Sequence, residues 1–246
     1  MSFKIVIPSY KRADRVKSTS LVTNPIICVS ESEKDEYKDF NPNVEIVPHP
    51  DSIKGLIPKR NWMANHFGEL FMIDDDVTAF NKFFIEKGEQ ARVKDKEYIR
   101  LKIEQLHEFA KLIGAPVFGF AKQSHIVTFK EESWFSLNKT ITGCAYGIIK
   151  KPDLYWNEEL TLKEDFWISA LCKYHYRKVL VDNRFFFNQE DTFSNAGGLS
   201  EFRNNKTEMN NILELRRMFG ECISLKNRGK NTNNKIKNNI SVDFGF

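Results

Sequence analysis

The sequence predicts an α/β fold organised on a central sheet. Short apolar runs in the first half alternate with connecting segments, and a long amphipathic stretch of helical period follows them. The chain has 246 residues, 41% of them hydrophobic and 13% aromatic, enough to bury a substantial core. A disordered chain and a stapled mini-protein are thereby excluded.

The first strand covers residues 3–7 and is stopped by Pro8. Residues 25–29 form a second, ending at Ser30-Glu31-Ser32, and residues 44–47 a third, closed by Pro48 and Pro50. After Gly55 and Pro58, Trp62, Met63 and His66 fall at helical spacing, so 59–67 reads as a short helix. Residues 70–73 make a fourth strand that runs into Asp74-Asp75-Asp76. Ile99, Ile103, Leu106, Ala110 and Ile113 recur at steps of four and three, the stripe of an amphipathic helix over 95–113 that Gly114 and Pro116 terminate.

Strands are expected at 117–121, 126–129, 133–137 and 143–149, with pairing that one sequence does not disclose. A helix over 163–174, a strand at 178–181 and the aromatic run 185–187 follow. Residues 188–198 read as a loop and 209–219 as a helix. With no repeat and no clear linker, residues 1–225 read as one catalytic domain. Its nucleotide-binding half ends near residue 115 and its substrate-binding half follows.

The net charge of +4 lies entirely in the last 21 residues, where Lys226, Arg228, Lys230, Lys235 and Lys237 face only Asp243. The body is neutral. Residues 227–239, rich in Asn and Lys, hold too few apolar groups to pack and are expected to be mobile. Five cations and six asparagines suit a polyanion such as DNA, although a solubilising terminus has the same composition. Cys28, Cys144, Cys172 and Cys222 show neither zinc-ligand spacing nor a disulfide ladder and read as reduced thiols. No signal peptide and no membrane-spanning run are legible, so a cytoplasmic protein is expected, with its oligomeric state open.

The acidic strand end carries the most chemistry. Side chains alternate along an extended chain, which sends Asp74 and Asp76 one way and Asp75 the other. Two carboxylates on one side suit a hard divalent cation, Mg²⁺ or Mn²⁺, that leaves positions open for substrate phosphates. A turn or cap built from the same aspartates is the competing reading.

Ile7-Pro8-Ser9-Tyr10-Lys11-Arg12, Lys59-Arg60-Asn61, Asp74-x-Asp76 and Glu164-Asp165, in that order, resemble the GT-A glycosyltransferases over residues 3–190. More narrowly, the compact length and the aromatic, Asn-rich C-terminal part resemble the TET-associated glycosyltransferases of bacteriophages, which decorate hydroxymethylated DNA bases. The resemblance implies a UDP-sugar donor, a metal held by Asp74 and Asp76, and hydroxymethyl pyrimidine in phage DNA as acceptor. It places Pro8, Ser9, Tyr10 and Arg12 around the nucleotide and Ser30 and Glu31 at base or ribose. Arg60 and Asp75 join the donor-binding set, and Gly143 brings backbone close to the sugar. Asp165 becomes the general base if configuration is inverted, with Glu164 its alternate. The family's third metal ligand, often His, has no histidine to match in 188–198; Asn188 or Asp191 offers oxygen instead. Trp134, Trp156 and Trp167 read either as platforms for a ring or as core. A glycan or protein acceptor, a nucleotidyltransferase and a DNA-binding module remain the alternatives.

Overall fold

The computed structural model describes residues 3–83, 91–122, 133–141, 143–189, 204–225 and 240–242. The strands are β1 (Lys4–Pro8), β2 (Ile26–Ser30), β3 (Glu45–His49), β4 (Glu69–Ile73), β5 (Val77–Lys82), β6 (Arg92–Val93), β7 (Val117–Ala121), β8 (Phe135–Ser136), β9 (Ala145–Ile149), β10 (Leu180–Gln189), β11 (Ile223–Leu225) and β12 (Ile240–Val242). The helices are α1 (Lys34–Phe40), α2 (Leu56–Phe67), α3 (Lys96–Ile113), α4 (Glu164–Tyr176) and α5 (Asn205–Phe219).

Ten strands form one mixed sheet in the order β3-β2-β1-β4-β9-β7-β10-β5-β6, with β8 added on β10. The first four strands of that order are parallel, and β1 and β2 bury nearly every residue, as strands covered on both faces must. α2, α4 and α5 cover one face through Met63, Phe67, Ile168, Leu171, Leu215 and Phe219. α3 covers the other through Ile99, Ile103, Leu106 and Ala110. It starts where Asp95 accepts from the N–H groups of Glu97 and Tyr98, and stops at Gly114 in the left-handed region, φ 67°.

β9 runs antiparallel to both β4 and β7, so β7 points the same way as β1 to β4. Pro8, Ser30, His49, Ile73 and Ala121 therefore end at one edge of the sheet. In open α/β sheets that carboxyl edge is where ligands bind.

Several boundaries differ from the sequence expectation. α2 begins at Leu56, three residues before Lys59, because Gly55 adopts φ 94° ahead of the helix and Pro58 sits in the first turn, where its missing N–H is not needed. Lys59 and Arg60 thus lie inside the helix and face the core. The segments 178–181 and 185–187 are parts of one ten-residue strand, β10, whose register shifts between Asp182 and Phe186 against β7. The strand expected at 133–137 shortens to β8, and the one at 143–149 starts at Ala145. The strand at 126–129, residues 190–198 of the loop and residues 226–239 of the tail lie outside the described residues. Of the tail, Ile240–Val242 pairs with Ile223–Leu225, so mobility does not describe all of its last 21 residues. Three of the four cysteines are buried and all are free. Among the described residues no helix is long and apolar enough to cross a membrane.

Gly147 on β9 lies opposite both Phe71 and Phe118, and a Cβ added there would fall 2.1 Å from the Phe118 ring. Gly147→Ala is expected to lose about 1–3 kcal/mol of stability through overpacking. Urea denaturation, with Phe118→Leu as the compensating second substitution, measures it.

Candidate active site

β4 is an apolar strand that ends where Asp74 N–H donates to the Cys144 carbonyl at 2.8 Å and Val77 N–H to the Asp74 carbonyl at 3.2 Å. The backbone turns at Asp75, and the three carboxylates part company. Asp75 is drawn back to the loop after β1, where its oxygens accept from Ser9 Oγ at 2.5 Å and Arg12 Nη1 at 2.8 Å. Asp74 accepts from Arg60 Nη2 at 3.2 Å, and Asp76 from Gln189 Nε2 at 2.8 Å. The side chains of Asp74 and Asp76 keep 23% and 18% of their surface, against 8% for Asp75. Burial raises the pKa of both Asp74 and Asp76, and repulsion from Asp76 adds to the shift of Asp74.

The loop after β1 is held as a relay. Arg12 N–H donates to Tyr37 Oη at 3.0 Å, Tyr37 lies 2.7 Å from Ser9 Oγ, and Ser9 donates to Asp75. Lys59, buried in α2, donates to the Ser9 carbonyl at 2.6 Å. Tyr10 is 56% exposed, with the Lys11 and Lys59 ammonium groups 5.0 and 5.9 Å from its ring centre. Ser30 Oγ donates to Glu33 at 2.9 Å, and Glu33 also accepts from Lys11 N–H at 2.8 Å. The loops after β1 and β2 are therefore tied through Glu33, while Glu31 stays exposed beside it. His49, opposite Ser30 at the end of β3, is 1% exposed, and among the described residues its Nε2 has no partner.

The second acidic element opens α4. Glu164 is buried with Oε1 3.6 Å from Arg60 Nη2. Asp165 accepts from Phe166 N–H at 2.9 Å and leaves Oδ2 facing Gly143, where a Cβ would approach it to 3.3 Å. Burial and the neighbouring Glu164 raise the Asp165 carboxyl from 3.8 to about 6. A carboxylate with that pKa is ionised at neutral pH yet still accepts a proton readily.

Arg60 links the two acidic elements. Its guanidinium is wholly buried, donates to Asp74 and to the Gly143 carbonyl at 3.2 Å each, and stacks 5.0 Å from the Tyr146 ring centre. Burial opposes its charge, and the surrounding Tyr146, Asp74, Glu164 and Asp165 more than offset that.

Two carboxylates that repel each other beside an open edge are a hard-oxygen donor pair of the kind that divalent cations neutralise. Among the described residues no group of three or more His, Cys, Asp or Glu is arranged to hold a metal. Asn188, on β10, has a buried side-chain oxygen with no partner among the described residues; Asp191 lies outside them. The donor set thus fits a cation that takes much of its shell from substrate and water.

The family model of the TET-associated glycosyltransferases matches residues 3–198. The chain belongs to this family, and it is a glycosyltransferase. Its sheet also resembles that of TarS from S. aureus. The crystal structure of TarS residues 1–349 in complex with UDP-GlcNAc aligns with a TM-score of 0.51 at 11% identity, over 88% of this chain and 67% of that one. The crystal structure of the same segment, with no ligand named, gives a TM-score of 0.46 at 11% identity, over 88% and 66%. The chain thus spans about two thirds of that neighbour. No curated protein sequence matches it.

In this TET-associated glycosyltransferase, Ser9, Tyr10, Arg12 and Asp75 come together at the end of β1, with Pro8 buried at its last position. Asp74, Asp76, Arg60, Gly143, Glu164 and Asp165 gather at the ends of β4 and α4. Arg60 was expected on the donor; its guanidinium instead faces protein carboxylates with no surface left for solvent. Trp156 and Trp167 are core residues, 1% and 2% exposed, whereas Trp134 is exposed. Tyr37, Tyr146, His49 and Gln189 escaped the sequence reading, since no local pattern distinguishes them from ordinary core or strand residues.

Arg60→Met would leave Asp74 and Glu164 without their shared counter-charge and is expected to cost about 3–5 kcal/mol, read by chemical denaturation. Asp165 titrates higher when folded than unfolded, so its contribution stabilises the fold at low pH and is lost as pH rises through about 6. Asp165→Asn should therefore melt above the wild type at pH 7.5, and thermal scans should show the gap closing towards pH 4.

Proposed function

We propose that this glycosyltransferase moves a sugar from a UDP-linked donor to the hydroxymethyl group of a modified pyrimidine in DNA, with Asp165 as general base. The observation that carries the chemistry is that Arg60 donates to Asp74 and to the Gly143 carbonyl and lies 3.6 Å from Glu164, so the end of β4 meets the start of α4, where Asp165 Oδ2 faces the bare backbone of Gly143.

Asp165 Oδ2 accepts the proton of the acceptor hydroxyl as that oxygen attacks the anomeric carbon and the bond to the diphosphate breaks. Gly143 leaves room beside that oxygen that any larger residue would fill. Ser9, Tyr10 and Arg12 receive the nucleotide, with the Tyr10 ring as the face for the base and Ser30 and Glu31 flanking it. A divalent cation, Mn²⁺ or Mg²⁺, held by Asp74 and Asp76 with Asn188 as a further oxygen, would supply charge neutralisation for the departing diphosphate. Glu164 holds Arg60.

The UDP donor is supported by the bound UDP-GlcNAc of the TarS neighbour. The acceptor is supported by the family's association with TET enzymes and by the cation-rich C-terminal sequence. A cytoplasmic setting accords with both substrates.

Labelled UDP-sugars with Mn²⁺, offered to DNA with and without hydroxymethylcytosine, test the assignment. Transfer is expected to the modified DNA alone, and no transfer to it from any UDP-sugar would overturn the acceptor. The rate should fall as pH drops through about 6, where Asp165 gains its proton. Asp76→Ala should lower donor turnover by on the order of a hundredfold, the scale of losing one group that stabilises developing charge.

A further inference from the structure

Away from the carboxylate centre, β10 carries a group of side chains that the transfer chemistry does not use. β8 pairs with it, Phe135 opposite Asp182, and the Asn183 N–H donates to the Trp134 carbonyl at 2.8 Å. The Trp134 side chain is left 54% exposed. The Arg184 guanidinium sits 4.8 Å from its ring centre and 4.9 Å from that of Phe135. Two bonds to Asp182, from Nε at 3.0 Å and Nη2 at 2.7 Å, lock that guanidinium in place. The platform is thus rigid and cationic on one side, with open indole surface on the other.

Asn183 ties a second cation to it. Its amide nitrogen donates to the Ser133 carbonyl at 2.8 Å, and its oxygen accepts from Lys139 Nζ at 2.8 Å. Among the described residues Lys139 finds that amide oxygen and no carboxylate, and burial alone bears on its charge. A flat ring surface and a cation that meets no carboxylate among the described residues, both anchored on one asparagine, match the two parts of a nucleotide.

We propose that Trp134, Arg184 and Lys139 form a subsite for single-stranded nucleic acid, with a base stacked on the indole and a phosphate at the Lys139 ammonium. A neutral glycan would use the ring but leave the cation unmet. An acidic peptide would use the cation but not the ring. The subsite lies on the strand beside β7: Asp182 pairs with Phe120 on β7, and Lys122, just beyond β7, acts electrostatically on Asp165. The inference rests on the DNA-acceptor reading and adds to it a hold on nucleotides flanking an extruded base.

The full chain, titrated with fluorescent single-stranded and duplex oligonucleotides at several salt concentrations, tests it by anisotropy. Trp134→Ala is expected to weaken single-strand binding by at least about fivefold, the lower end of base–aromatic stacking. Lys139→Gln should reduce the logarithmic salt slope by about 1, as loss of one phosphate contact does. Donor hydrolysis should stay within about twofold for both, which reports an intact fold; the stacking loss is about 0.7 to 2 log units by comparison. If both variants bind as the wild type does while hydroxymethylated DNA is still glycosylated, the subsite is overturned and the acceptor reading stands. If the wild type binds no oligonucleotide and modifies no DNA, both fall. Loss of a neutral oligosaccharide on Trp134→Ala, with oligonucleotide binding unchanged, would also overturn the subsite.

Discussion

Arg60 carries its charge with no exposure to water, and such burial is tolerable only where carboxylates meet it. Asp74 comes from the end of β4 and Glu164 from the start of α4, ninety residues apart in sequence. One guanidinium joins them and also holds the carbonyl of Gly143 between them. The relative placement of the two acidic elements thus depends on a residue that the sequence reading put on the donor and that the fold turns onto protein carboxylates instead. Removing either partner would strand charge in the interior, so the arrangement is held in one geometry.

A second set of contacts organises the donor side by a different means. The aspartate that faces away from the open edge, Asp75, anchors Ser9 and Arg12, while Tyr37 on α1 braces both. Lys59 fixes the Ser9 carbonyl from beneath. Adjacent aspartates therefore divide between two tasks. One sets the shape of the loop after β1, and the other two stay partly accessible at the edge.

Much of this was legible in the sequence. Periodicity located β1, β2, β4, α3 and α4, because their apolar positions recur with little ambiguity. The Asp74-x-Asp76 and Glu164-Asp165 elements were visible as carboxylates at element ends. What escaped detection depends on long-range packing. Lys59 and Arg60 look like surface cations at a helix start, and only the tertiary fold turns them inward. β5 follows directly on the acidic turn, where polar Thr78, Asn81 and Lys82 blur the alternation of a strand, and β6 is only two residues long. α1, the sequence KDEYKDF, buries just Tyr37, too little to register as an amphipathic stripe. Glu164 and Asp165 were legible as a pair, but that one turns to Arg60 and the other to Gly143 is set by the tertiary fold.

β9 has a consequence for how such a fold can be divided. Its strand, from late in the chain, inserts between β4 and β7 and makes ladder contacts with both. A cut near residue 115 would leave β4 with an open hydrogen-bonding edge and strip the Gly143 backbone from Arg60. The segment after residue 115 therefore cannot be exchanged between relatives as a cassette. Recombination among such enzymes has to preserve a seam running through the middle of the sheet.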